Sequence, residues 1–155
     1  MEVDWSGNVC WKLLHNDHHH DARKLRNGNI LLLCLSKLPK EVAISVRGGI
    51  SNTEAGGNIF GDYIVEMTTS GKTIWEWRSW EHLDILTDRI TLQDRRSEWT
   101  HGNNVAEMDD GNILVSFRNI STVGIIDRTS GKLIWKLGPP PLAQQHDPSP
   151  LSNGN

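Results

Sequence analysis

One repeated pattern constrains this chain more than any other feature: a histidine, then a tight glycine turn, then a Gly-x-x-x-Trp segment. His20 precedes the glycine of Asn27-Gly28-Asn29 by eight residues. His101 precedes that of Asp110-Gly111-Asn112 by ten, and His146 precedes that of Asn153-Gly154-Asn155 by eight. Tryptophan follows glycine by four in Ser6-Gly7-Asn8-Val9-Cys10-Trp11, in Ser70-Gly71-Lys72-Thr73-Ile74-Trp75 and in Ser130-Gly131-Lys132-Leu133-Ile134-Trp135. Repeats with a reactive side chain at one fixed position bring those side chains to one locus when they pack around an axis. The pattern therefore predicts a site assembled from successive units.

The clearest unit spans 99–138. Strands are expected at Val105 to Met108, Ile113 to Phe117, Val123 to Asp127 and Lys132 to Leu137, with the Asp-Gly turn at 109–112 requiring positive φ. A second unit, 18–78, has the same grammar with an insertion at 36–62. Its strands are expected at Ala22 to Leu25, Ile30 to Leu35, Tyr63 to Met67 and Lys72 to Trp77. Within the insertion, Pro39 to Val46 reads as a short helix stopped by Gly48-Gly49, followed by a glycine-rich loop from Asn52 to Gly61. Ser79 to Trp99 reads as a charged connection with a turn of helix. Residues 1–14 read as the end of another unit, with a hairpin at Val3 to Leu13, and 144–155 as the start of a further one. The fold class expected is all-β: a partial β-propeller of about two complete four-stranded antiparallel blades plus partial blades. Because propellers generally need four to eight blades, the chain is expected to be an internal fragment of a longer protein or an incomplete gene model.

Composition narrows the function. The chain is 37% hydrophobic and 23% charged, with a net charge of -3 and a mean hydropathy of -0.45. That balance argues against a polyanion-binding surface, so nucleic acid is not an expected partner. No apolar run approaches the ~20 residues of a membrane span, and the N-terminus carries no export signal. Cys10 and Cys34 both sit in apolar strand patterns and are expected to be free, buried thiols. Trp11, Trp75 and Trp135 are expected to pack between neighbouring sheets; one of Trp77, Trp80 and Trp99 is a candidate to line an aromatic-binding pocket.

His18-His19-His20-Asp21 alone reads as a solvated polyhistidine stretch or a metal site, and no zinc-type carboxylate or cysteine pattern accompanies it. Register in the repeat singles out His20. Asp21 and Asp147 each directly follow a repeat histidine, where a carboxylate would support the loop. His101 and Asn103 point the same way in an extended chain, and Arg118 lies across the hairpin from them. Imidazoles, an amide and a guanidinium converging would bind a tetrahedral oxyanion. A polar cluster of purely structural value fits the same residues equally well. His82, in Glu81-His82-Leu83-Asp84, reads as a loop residue.

His19-His20-Asp21 with Leu25 and Asn27-Gly28-Asn29 resembles the HHD…LxNGN motif of the bacterial arylsulfotransferase family. Glu98-Trp99-Thr100-His101-Gly102-Asn103 resembles its W-T-H-x-N motif, and Ser116 to Thr122 its S-x-R-N segment. Ile134-Trp135-Lys136-Leu137-Gly138 followed by Gln145-His146-Asp147 is similar to its W-x-L-G…Q-H stretch. The resemblance implies a six-bladed propeller, often exported to the periplasm. It implies transfer of a sulfuryl group from a phenolic sulfate ester to a phenolic acceptor without a nucleotide sulfate donor, by a ping-pong route through a sulfated histidine. Carried over by motif, His146 is the nucleophile, and His20, His101, Asn103 and Arg118 hold and polarise the sulfuryl group. No cofactor or metal is implied, and a fragment lacking the other blades is expected to be inactive. Two other readings stand beside this one: a non-catalytic propeller that binds a ligand or protein, and a quinoprotein-type propeller. The histidine at each blade entrance favours the transferase. The quinoprotein would need a metal site with carboxylate ligands that the sequence does not offer.

Overall fold

The turns decide where this chain reverses. Gly28 takes φ +83°, and the Asn27 side-chain oxygen accepts the Asn29 amide at 2.9 Å. Gly111 takes φ +85°, and the Asp110 carboxylate accepts the Asn112 amide at 3.0 Å. Such short side-chain-to-backbone bonds mimic a backbone turn, while glycine supplies positive φ without steric cost. The apolar runs between these turns are left to pair as strands.

The computed structural model describes residues 1–151 and 153. The turn expected at Asn153-Gly154-Asn155 thus lies partly outside the described residues. In chain order the elements are β1 (Glu2–Val3), β2 (Val9–Trp11), β3 (His18–Lys24), β4 (Ile30–Lys37), α1 (Lys40–Ala43), β5 (Gly48–Ile50), β6 (Phe60–Met67), β7 (Thr73–Arg78), α2 (Ser79–His82), β8 (Ile90–Arg95), β9 (Gly102–Glu107), β10 (Ile113–Phe117), β11 (Thr122–Ile126) and β12 (Leu133–Leu137). The fold is all-β, with several antiparallel sheets and no closed barrel among the described residues. Strands β3-β4-β6-β7 form one four-stranded antiparallel sheet and β9-β10-β11-β12 another, with α1 and β5 intervening in sequence between β4 and β6.

Side-chain alternation stacks these layers. Along β4, Leu31 and Leu33 enter the main core with Val105, Val115 and Phe117 of the other four-stranded sheet. Ile30, Leu32 and Cys34 point the opposite way, joining Val65, Met67, Trp11 and Leu13 on the side of the β1–β2 hairpin. Strand β10 is buried along its whole length, which is why it reads as a continuous apolar run rather than an alternating one.

The long connections are more ordered than the sequence suggests. The expected helix at 39–46 shrinks to α1, and Gly48-Gly49 does not stop it but opens β5. Strand β5 pairs in parallel with β8, from within the charged connection. Gly48 is required there: at φ +82°, a Cβ would fall 2.0 Å from the Ile90 carbonyl oxygen. Arg96 clamps the pair, donating to the Gly48 carbonyl at 2.5 Å and to Glu54 at 2.6 Å.

Three expectations are corrected. Trp11 and Trp75 are half-buried against the two cores, but Trp135 is 46% exposed, with no further sheet stacked over it among the described residues. The fully enclosed indoles are Trp77 and Trp99. Trp77 donates to the Gly131 carbonyl at 2.8 Å, joining the last strand of one sheet to the outer turn of the next. Of the three irregular tryptophans, Trp80 lines a surface cavity, together with Lys37, Tyr63 and Arg78. The cysteines are free but differ: Cys34 is buried, with its thiol pushed up to about 12 by that burial, whereas Cys10 is exposed on the short strand β2. His82 ends α2, stacked on Trp77 with ring centroids 5.0 Å apart.

Candidate active site

Ladder irregularities lie beside both repeat histidines that start a sheet. The β3–β4 register shifts between His18 and Ala22, and the β9–β10 register shifts at Ser116/Phe117, opposite Gly102. His20 and His101 both take left-handed backbone, at φ +52° and +50°. Histidine tolerates this region better than β-branched residues do, yet it remains costly, and such strain concentrates at functional loops. A bulge with a left-handed residue re-aims a side chain out of the strand alternation. Here it brings the His20 and His101 rings edge to face, with centroids 4.9 Å apart and planes at 75°.

The buried carboxylate of Asp62, on β6, ties the two histidine loops together. Its Oδ2 accepts the Gly102 amide at 2.7 Å and the Thr100 hydroxyl. Its Oδ1 lies 2.8 Å from His19 Nε2. His19 Nδ1 in turn lies 2.7 Å from His20 Nδ1. Asp62 was not among the residues that the motifs pointed to. The signal for it is a carboxylate inside an otherwise apolar strand, Phe60-Gly61-Asp62-Tyr63-Ile64-Val65.

The two converging histidines titrate in opposite directions. His101 Nδ1 contacts Glu98 Oε2 at 2.7 Å, and that bond holds the His101 imidazolium above the ordinary histidine range. Partial burial, then the neighbouring His19 and His101, push His20 below it. A pair driven apart this way offers one neutral imidazole and one charged one at the same pH.

Arg118 joins this locus through its backbone, its amide donating to the His101 carbonyl at 3.0 Å. Its guanidinium is paired with Asp94 of β8 at 2.7 Å rather than standing free. The same Asp94 accepts the Gln144 side-chain amide at 2.9 and 2.8 Å. Asn103 donates to the Gln145 carbonyl at 2.9 Å, and the Gln145 amide reaches Ser116, Phe117 and Thr122. The segment carrying His146 is therefore stapled to the sheet from both sides, beside Arg118 and Asn103. The His146 ring itself is exposed, and its one hydrogen bond among the described residues runs to the Gln144 carbonyl at 3.0 Å. Among the described residues no hydrogen bond or ring contact joins it to His20 or His101. The two supporting carboxylates latch neighbouring segments: Asp21 accepts the Val105 amide at 3.0 Å, and Asp147 accepts the Asn104 side chain at 2.8 Å. No group of three or more metal-type side chains is gathered among the described residues, and none of their helices is long and apolar enough to cross a membrane.

A family model described as arylsulfotransferase (ASST) matches residues 1–147. No curated protein matches. One similar solved structure is described as a protein of unknown function from Bacteroides caccae, with a TM-score of 0.53 and 16% sequence identity. The match covers 98% of this chain and 42% of that one. At that identity the likeness is one of fold alone.

Proposed function

Because the chain belongs to the arylsulfotransferase family, we propose that it forms part of a propeller enzyme moving a sulfuryl group between phenols, from an aryl sulfate ester to a phenolic acceptor. The family match over residues 1–147 carries this reading. The two four-stranded antiparallel sheets, one packed on the other, suit consecutive blades.

In the first half-reaction an imidazole nitrogen of His146 attacks sulfur. The sulfur–oxygen bond to the aryl group breaks, its electron pair leaves with the aryloxide, and His101 supplies a proton to that oxygen. Arg118 and Asn103 donate hydrogen bonds to the sulfuryl oxygens as charge shifts across them. In the second half an acceptor phenol gives its proton to His20 while its oxygen bonds to sulfur. The sulfur–nitrogen bond breaks, and its electrons return to His146. The proton left on His20 then returns to His101. That transfer runs downhill, because His101 is raised and His20 lowered from the ordinary value. Donor and acceptor product balance, and no nucleotide donor enters.

Steady-state transfer from a nitrophenyl sulfate to a phenol tests this in the protein containing these residues. Varying both substrates is expected to give parallel double-reciprocal lines. Intersecting lines, or no transfer, would sink the two-step reading.

The pH dependence separates the halves. kcat/KM for the donor needs protonated His101, so its alkaline limb lies at a pKa above the usual ~6.5. kcat/KM for the acceptor needs neutral His20, so it falls only as pH drops through a pKa below that value. Glu98→Gln removes the main cause of the His101 rise and is expected to bring the donor's alkaline limb down toward ~6.5, while the acceptor's acid limb moves less and also downward, Glu98 being the smallest cause acting on His20. A donor profile indifferent to Glu98→Gln would refute the role given to His101.

A further inference from the structure

Asp62 and His19 have no part in the transfer steps above, yet their geometry bears on the nitrogen that receives the acceptor's proton. Asp62 is wholly buried, and two of its contacts, from Gly102 and Thr100, use Oδ2. Its Oδ1 and His19 Nε2 are both buried and lie 2.8 Å apart as an ion-pair contact outside hydrogen-bond geometry, and neither has a hydrogen-bonding partner among the described residues. At that distance a bare ring nitrogen would set its partial negative charge against the carboxylate. The carboxylate's negative charge therefore favours the form that carries the proton on that nitrogen.

One proton placement follows from another. A neutral His19 protonated at Nε2 is bare at Nδ1. That bare Nδ1 faces His20 Nδ1 at 2.7 Å, too close for two lone pairs. His20 must then be the donor, protonated at Nδ1 and bare at Nε2. We infer that Asp62, acting through a neutral His19, fixes the tautomer of His20 so that its Nε2 is the nitrogen that takes the proton of the phenolic acceptor. The arrangement is a buried carboxylate, an intermediary imidazole and a base. A hydrogen bond to one ring nitrogen thereby decides the chemistry of the other. Asp62 and His19 are positioning residues, since neither touches substrate. The identity of the proton donor rests on the transferase reading; the tautomer does not.

The groups facing His20 are His19, His101, Asp62 and Glu98, with Arg118 facing His101 behind them. The test must separate tautomer from charge. Histidine-labelled full chain is examined by long-range ¹⁵N–¹H NMR without substrate, at a pH where His19 and His20 are both neutral. The expected spectrum shows His20 protonated at Nδ1 and bare at Nε2. His19→Phe cuts the relay while leaving the Asp62 bonds to Gly102 and Thr100, and Asp62→Asn removes the charge at its origin. Either variant is expected to convert His20 to a mixture of tautomers. In transfer assays His19→Phe is expected to lower kcat/KM for the acceptor by roughly 10- to 100-fold, the range for removing an orienting outer partner, and to leave kcat/KM for the donor unchanged. His19→Gln, which keeps a hydrogen-bonding group, is expected to recover part of the loss. A wild-type His20 protonated at Nε2, a His19→Phe spectrum with an unchanged tautomer, or equal losses in both half-reactions would overturn the inference. The assigned tautomer in a chain with no transferase activity would uphold the Asp62–His19 relay and reject the function proposed above.

Discussion

His146→Ala is expected to abolish turnover and the covalent sulfuryl adduct together. Loss of a nucleophile costs on the order of 10⁴- to 10⁶-fold in kcat. The surroundings of His146 make this a clean experiment. The segment is held by Gln144 on Asp94 and by Gln145 on Ser116, Phe117 and Thr122, not by the imidazole. The ring is exposed and its one hydrogen bond among the described residues is to a carbonyl, so truncating it leaves those staples in place. Melting behaviour is expected to match the parent, while mass spectrometry of donor-treated protein loses the sulfated peptide. An adduct that persists in His146→Ala, or that maps to His20 or His101 in the parent, assigns the nucleophile elsewhere.

Trp99→Ala is expected to cost about 3–5 kcal/mol of stability, the range for deleting a buried aromatic side chain. Trp99 is fully buried in the main core. Its indole donates to the Asp88 carbonyl at 2.6 Å, and its backbone amide bonds Phe60 at 2.8 Å. Truncation therefore opens a cavity and also orphans a buried carbonyl. For a chain of this size the melting temperature should fall by roughly 10 °C or more. Because Glu98, Thr100 and His101 follow or flank Trp99 in sequence, the histidine pair should loosen with it. The control is Trp135→Ala. That residue occupies the repeat position but is 46% exposed, so its loss should cost much less. Equal costs for the two, measured by thermal unfolding, would refute the packing argument.

Much of the fold is written locally. The turns at Asn27-Gly28 and Asp110-Gly111 are specified by their own side chains, and β10 falls at the expected Ile113 to Phe117 because an apolar run is bounded by turn residues on both sides. The β5–β8 pairing was not legible. It joins Gly48 to Ile90 across a long stretch of chain, in parallel, and β5, Gly48-Gly49-Ile50, carries no apolar alternation of its own. The repeat tryptophans misled for a related reason. Register in a repeat fixes which way a side chain points, but burial depends on whether another layer covers it. At the candidate site, the repeat histidines at 20 and 101 were visible as a pattern, and they do meet. Asp62 showed only as a carboxylate in an apolar strand; its pairing with His19, and that of Asp94 with Arg118, were invisible, since each joins residues distant in sequence.

The left-handed backbone at His20 and His101 restricts which amino acids can occupy those sites at all. Glycine fits freely, and asparagine, aspartate and histidine fit tolerably, whereas valine, isoleucine or threonine would strain the loop before any question of chemistry arose. Mutational drift at these positions is thus filtered twice, first by conformation and then by reactivity. A lineage that lost the activity would pass only the first filter, and asparagine or glycine is what it would leave behind.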